Sequence, residues 1–296
     1  KRIPFFALEG VGGSGKSHII KALELELATS GYSITDYKVS GMGTGERIDR
    51  LRNIKERRSM LIASGEAPER IIQDAQKDRI FMLAMQYQLK TMLSEVQGRE
   101  DLHLVLLDRT PLMPWVYSIS KDESNPYLND ILLKGIGYSR RLNIDTQYLF
   151  DISPETAYAR MIARMCTSTP KPREIITRVC KQINAPPDSS KAIQDKTFQL
   201  LAENHNIIPK SAENYCFIPF ETLVNERKYF LQAGKILNTE CGTRLVIINA
   251  ELYPEEITYS IHKDIVSRIA HKSSIIFSAL LHVSSKDSKI GTSGQS

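Results

Sequence analysis

The residues from 10 to 17 read Gly10-Val11-Gly12-Gly13-Ser14-Gly15-Lys16-Ser17, which satisfies G-x-x-x-x-G-K-[ST] at every fixed position. Four of these eight residues are glycine. Without a Cβ, the backbone can curl so that successive N–H groups point inward at phosphate oxygens. Gly10, Gly12, Gly13, Ser14, Gly15, Lys16 and Ser17 are therefore expected to line a polyphosphate site. On a solvent-facing loop, Lys16 would bridge the β- and γ-phosphates and stabilise charge as the γ-group moves. The Ser17 hydroxyl would ligate Mg²⁺, so ATP and Mg²⁺ are the cofactors implied.

A second charged constellation is Asp108-Arg109, which closes the apolar run Leu102 to Leu107. Asp108 can serve the metal through water or accept a proton from the acceptor. The planar fork of Arg109 matches phosphate oxygens and can clamp two phosphoryl groups at once. Phosphoryl transfer needs mainly positioning and charge neutralisation, so Lys16, Asp108 and Arg109 form a sufficient catalytic set.

Both constellations need elements to hold them. Strand patterns run over Ile3 to Leu8, Tyr32 to Val39, Leu102 to Leu107, Gln147 to Ile152 and Arg244 to Ile248. Helical patterns lie between them: Ser17 to Ala28, Glu69 to Leu93, Pro154 to Met165 behind Ser153 as N-cap, Glu221 to Leu237 and Pro254 to Ile269. Short strands alternating with helices imply an α/β fold, a five-stranded and mostly parallel sheet with helices on both faces. Ligands of such sheets sit at the carboxyl ends of the strands, where both constellations fall.

The stretch 167–217 holds five prolines and no strand-like run, and is expected to be an inserted lid or small helical subdomain. From Arg160 through Gln182, six basic residues face one acid, Glu174, which fits a cationic flap over triphosphate as well as a solvated basic face. The kinase domain is expected to span 1–271, and the Ser-, Lys- and Gly-rich tail 272–296 to be disordered.

The 296 residues carry a net charge of +5, too mild an excess for a nucleic-acid polymer as partner. No apolar run approaches the roughly 20 residues of a membrane span. No signal peptide is read at Lys1, and a cytoplasmic location is expected. Cys166, Cys180, Cys216 and Cys241 fit free thiols; a zinc site from Cys166, Cys180, His205 and Cys216 matches no common spacing.

Taken in order, these motifs resemble thymidylate kinase and its nucleoside-monophosphate kinase relatives. The likeness is carried by Phe5 to Gly10 with the glycine loop, Gly43-Thr44-Gly45-Glu46-Arg47-Ile48, Leu106-Leu107-Asp108-Arg109, Tyr148 through Ala157, Phe220-Glu221, and Ile247-Ile248-Asn249-Ala250 before Pro254-Glu255-Glu256. The resemblance implies a P-loop NTPase fold with a lid, a homodimer, and transfer from ATP to a nucleoside monophosphate, foremost dTMP to dTDP. It implies Lys16 and Arg109 as catalytic residues, Asp108 at the metal, and Asn249 and Ala250 beside the adenine. Arg79, Lys38 and Arg109 would meet the acceptor.

The sequence departs from that pattern at several points. Gly12 stands where the relatives carry a carboxylate, and Gly13 where some carry an arginine. Thr110 follows Arg109 in place of an aromatic residue, and Lys38-Val39-Ser40 replaces an R-E-P segment. An arginine over the γ-phosphate would then come from the lid region, from Arg164 or Arg173. A deoxynucleoside kinase, or a nucleotide-binding regulatory protein with little turnover, are the alternative readings.

Overall fold

The structure is a computed structural model that describes residues 3–38, 103–167, 169–203 and 218–287, with the backbone alone for Tyr37, Lys38 and 272–287. The expected helix Glu69 to Leu93, the segment Gly43 to Ile48 and the candidate acceptor residue Arg79 lie outside the described residues.

Two runs with no exposed face make the centre of the sheet. Strand β1 (Phe5–Gly10) and strand β3 (His103–Asp108) are buried at every position. Strands covered on both sides need a layer on each, which is why they read as continuous apolar runs rather than alternating ones. With β2 (Ser33–Lys38), β4 (Thr146–Asp151) and β5 (Arg244–Asn249) they form a five-stranded sheet in the order β2-β3-β1-β4-β5. All its pairings are parallel.

That order places the ends of β1 and β3 side by side. Leu8 pairs in register with Asp108, so Glu9, still paired to β4, and Arg109, just beyond β3, lie side by side. Lys38, at the end of β2, pairs with Asp108 from the other side.

Helix α1 (Lys16–Thr29) leaves the glycine loop and buries Ile19, Ile20, Leu23 and Leu27 against the sheet. Helices α2 (Met113–Lys121) and α3 (Leu128–Leu142) follow β3 and were not marked by the sequence patterns. Helix α4 (Pro154–Cys166) starts where Pro154 and the N-cap Ser153 predict, with the Ser153 hydroxyl accepting from the Thr156 N–H at 3.3 Å.

The described part of the insertion is helical. Helices α5 (Pro172–Gln182) and α6 (Pro187–Glu203) bury Ile176, Val179, Cys180, Ile183 and Ile193 in the same core cluster as the sheet. Helix α7 (Phe220–Cys241) returns across the domain and packs on α2 through Trp115 with Tyr229 and Tyr117 with Phe230, both edge to face at 5.9 Å. The last helix, α8 (Pro254–Asp287), runs well past the expected stop at Ile269, so the first part of the expected tail has helical backbone. No helix among the described residues is long and apolar enough to cross a membrane.

Candidate active site

Where β1 meets α1, three glycines take left-handed or similar backbone angles: Gly10 at φ 142°, Gly13 at φ 80° and Gly15 at φ 90°. Two of them are also packed too closely for any side chain. A Cβ on Gly10 would lie 2.6 Å from the Phe150 carbonyl oxygen, and one on Gly13 would lie 2.4 Å from that of Ala157. The loop is thus pressed against β4 and the backbone of α4.

The resulting curve leaves amides facing outward. Among the described residues, the N–H groups of Gly12, Gly13, Gly15, Lys16 and Ser17 have no acceptor, whereas that of Ser14 reaches Val11 O at 3.4 Å. A run of unpaired N–H groups at a helix start is an anion site by construction, and the α1 dipole adds to it. The chemistry of the donors fits a polyphosphate.

Lys16 is not solvent-facing, contrary to expectation. It is buried, and its Nζ donates to Gly10 O at 2.6 Å, Val11 O at 2.9 Å and Ser14 Oγ at 2.9 Å. Folding back satisfies all three ammonium donors within the loop. Burial, then the nearby Arg109 charge, hold its pKa well below the ordinary lysine value, against the pull of Glu9, Asp108 and Glu226.

Arg109 stands in a left-handed conformation, φ 95°, and its side chain folds over the end of β1. Nη1 donates to Glu9 Oε1 at 2.9 Å and, in a close contact, to Gly10 O, the carbonyl that Lys16 also uses. The guanidinium lies 5.9 Å from the Tyr117 ring and 5.6 Å from the Phe230 ring. Its Nη2 carries no hydrogen bond among the described residues. Burial opposes the charge, but Tyr117, Glu9 and Asp108 outweigh it and keep the guanidinium protonated.

Glu9 is the residue that sequence reasoning missed. It is 0% exposed. Beside the Arg109 contact, Oε1 receives Gly10 N–H at 3.3 Å, while Oε2 receives the Thr110 N–H at 2.7 Å and the Thr110 hydroxyl at 3.0 Å. One carboxylate therefore ties the start of the glycine loop to both residues that follow Asp108. Thr110 serves this clamp with both its N–H and its hydroxyl. The only sign of Glu9 in the sequence is an acid closing an apolar strand.

Asp108 is buried at the end of β3, with Oδ1 4.0 Å from Arg109 Nε. Ser17 is exposed, and its hydroxyl has no partner among the described residues. A free hydroxyl on one side and a carboxylate on the other fit Mg²⁺, which keeps several waters and leans on phosphate oxygens. No group of three His, Cys, Asp or Glu side chains among the described residues is placed to hold a metal. Cys166 and Cys180 are free thiols with pKa values raised by burial, and His205 and Cys216 lie outside the described residues.

The basic residues distribute differently from expectation. Arg173 is exposed and sits 5.8 Å from the Phe198 ring, within the insertion. Arg164 is half-buried beside Arg160. From the stretch 160–182 the arginine that reaches the glycine loop, among the described residues, is Arg160, whose Nη1 lies 3.9 Å from where a Gly15 Cβ would stand. Nη1 also donates to Ala250 O at 2.9 Å, which links the loop to the turn after β5. In that turn Ala250 is buried, Asn249 is exposed, and Asn249 Oδ1 accepts the Glu251 N–H at 3.0 Å. For Lys38 the structure places only the backbone, beside Asp108.

Opposite the loop, α7 contributes two charges. Arg227 forms a fork on Asp151 at the end of β4, with Nε to Oδ1 at 2.6 Å and Nη2 to Oδ2 at 2.9 Å. Glu226 is 5% exposed, and among the described residues it has neither a hydrogen bond nor an ion pair. Burial pushes its carboxyl up to about 7, with Arg109, Lys121 and Lys16 pulling the other way. No family model matches this chain, and no curated protein matches it.

Proposed function

We propose that this chain transfers the γ-phosphoryl group of Mg²⁺-bound ATP to a nucleoside monophosphate, with dTMP to dTDP the foremost reaction. It would be a divergent relative of thymidylate kinase on a P-loop NTPase fold, and the parallel strand order with the glycine loop after β1 supports that fold. One observation carries the reading: the loop amides of Gly12, Gly13, Gly15, Lys16 and Ser17, unpaired among the described residues, with Lys16 and Arg109 converging on the Gly10 carbonyl beside them.

The residues divide the work by their chemistry. The amides bind the β- and γ-phosphates. Lys16 exchanges its three loop acceptors for phosphate oxygens when polyphosphate arrives. Arg109, held by Glu9 through one nitrogen, offers Nη2 to the moving group and neutralises the charge that develops. In the transfer a bond forms between the acceptor phosphate oxygen and the γ-phosphorus, and the bond to the β-γ bridging oxygen breaks. Ser17 and Asp108 would hold the Mg²⁺, which supplies charge neutralisation at the phosphates. By the resemblance, the turn of Asn249 and Ala250 would pass the adenine.

The test is ADP release from purified protein with ATP, Mg²⁺ and a panel of nucleosides and nucleoside monophosphates. Release with monophosphates, foremost dTMP, is the expected outcome. Turnover of nucleosides alone would replace the acceptor assignment. ATP binding without any acceptor-dependent release would overturn the enzyme reading.

A further inference from the structure

Among the described residues, Glu226 is a buried carboxylate without a partner in a site rich in partners. Its place follows from its neighbours on α7. Phe230, one turn further on, packs 5.6 Å from the Arg109 guanidinium, and Arg227 grips Asp151 at the end of β4. Residues four apart share a helix face, so Glu226 lies at the carboxyl edge of the sheet, over the ends of β3 and β4. The groups that face it come from every side: Lys16 from the loop, Arg109 from the end of β3, Tyr117 and Lys121 from α2, and Tyr158 from α4.

Other carboxylates at this edge are engaged. Glu9 accepts four hydrogen bonds, and Asp151 is held by Arg227. Glu226, at 5% exposure, has neither a hydrogen bond nor an ion pair among the described residues. Leaving such a group unsatisfied is costly, and a partner that arrives with the ligand removes that cost. The nature of that partner is constrained. An ionised carboxylate only accepts, so the partner must donate. A phosphate oxygen is repelled by Glu226 and drawn to Lys16 and Arg109. An ammonium group is repelled by Lys16, Arg109 and Lys121. A neutral hydroxyl meets neither objection.

We infer that Glu226 binds the phosphoryl acceptor by taking a hydrogen bond from one of its hydroxyl groups, while Lys16 and Arg109 take the phosphates. The inference rests on the phosphotransfer reading above and names which part of the acceptor this residue meets. It makes Glu226 the acceptor-side carboxylate of a site whose glycine loop has none.

The test compares an acceptor nucleotide with its analogue lacking the sugar hydroxyl, in wild type and in Glu226→Gln, by steady-state kinetics. Wild type should prefer the hydroxylated acceptor on the order of 10- to 100-fold in kcat/KM, the range for a hydrogen bond to a charged group. In Glu226→Gln the preference should shrink to less than about 5-fold, with the KM for ATP unchanged. An unchanged preference in the variant, or an effect confined to ATP or Mg²⁺, overturns the inference while leaving transfer intact. Absence of transfer in wild type with every acceptor overturns the phosphotransfer reading, and this inference with it. A crystal structure of wild type with acceptor and ADP tests the same point without a variant. A hydroxyl within about 3.2 Å of a Glu226 oxygen supports it. A carboxylate facing phosphate, or touching no part of the acceptor, refutes it.

Discussion

Replacing Glu9 with glutamine isolates the clamp between the two strand ends. The side chain keeps its volume, but one acceptor oxygen becomes an NH₂ donor. At the Oε1 position that NH₂ meets Arg109 Nη1, now at 2.9 Å, and the Gly10 N–H at 3.3 Å. At the Oε2 position it meets the Thr110 N–H at 2.7 Å. Either orientation sets donor against donor, and Arg109 loses its counter-charge at a side-chain exposure of only 14%. Breaking a buried ion pair from one side costs about 3–5 kcal/mol. That is a large part of the ~5–15 kcal/mol of a folded domain, and corresponds to a fall in Tm on the order of 10 °C. Urea unfolding at neutral pH should be measured for wild type, Glu9→Gln, Arg109→Met and the double variant. Removing both charges leaves no uncompensated ion, so the double variant should be no less stable than Glu9→Gln, with a coupling of about 2 kcal/mol or more. A loss below about 1 kcal/mol for Glu9→Gln, or single effects that add within ~0.5 kcal/mol, would refute the reasoning.

Three further outcomes are expected. Lys16→Ala should reduce transfer by at least about 10²-fold with little loss of stability, since Gly10 O keeps Arg109 and Val11 O keeps the Ser14 hydroxyl at 2.9 Å; stopped assays beside urea melts check both, and wild-type rates would count against the mechanism. Gly13→Ala places a Cβ 2.4 Å from the Ala157 carbonyl at φ 80°, whereas Gly12→Ala meets only Met161 Sδ at 3.6 Å, so melting should fall sharply in the first variant and barely in the second. Glu226, raised to about 7 from 4.5, contributes stability that is full below the ordinary carboxylate value and lost as pH rises through about 7. Wild type should therefore lose on the order of 2–3 kcal/mol relative to Glu226→Gln between those pH values, and parallel stability curves for the two proteins would show that the group is not buried in solution.

The sheet and the loop were legible because their signals are local. Continuous burial makes β1 and β3 unbroken apolar runs, and the glycines announce a backbone that side chains cannot follow. The helices α2 and α3 were not legible. Met113 to Lys121 carries Pro114, Trp115 and Val116, which weaken a helical pattern, and α3 holds Gly135 and Gly137. Gly135 is kept by packing, since a Cβ there would lie 2.8 Å from Pro111 O. Glu9 escaped because an acid at a strand end reads as a solvent-facing residue, and the groups that hold it stand about a hundred positions away. Arg164 shares a face of α4 with Arg160, but Arg160 stands one turn nearer the start of the helix and it is its guanidinium that lies beside Gly15, while Arg173 sits against Phe198.

These misses share a cause that also accounts for two departures from the kinase pattern. Where some members of the proposed family carry an arginine, position 13 here meets the backbone of α4, with no room for a side chain. Where they carry an aromatic residue, Thr110 serves the Glu9 clamp with both its N–H and its hydroxyl. These two departures coincide with a close contact at the loop, whereas a side chain at Gly12 would meet only Met161 Sδ at 3.6 Å. The helix that excludes a charge at Gly13 brings Arg160 to within 3.9 Å of a Cβ position on Gly15. A cation therefore stands beside the loop, carried by the helix that packs on it.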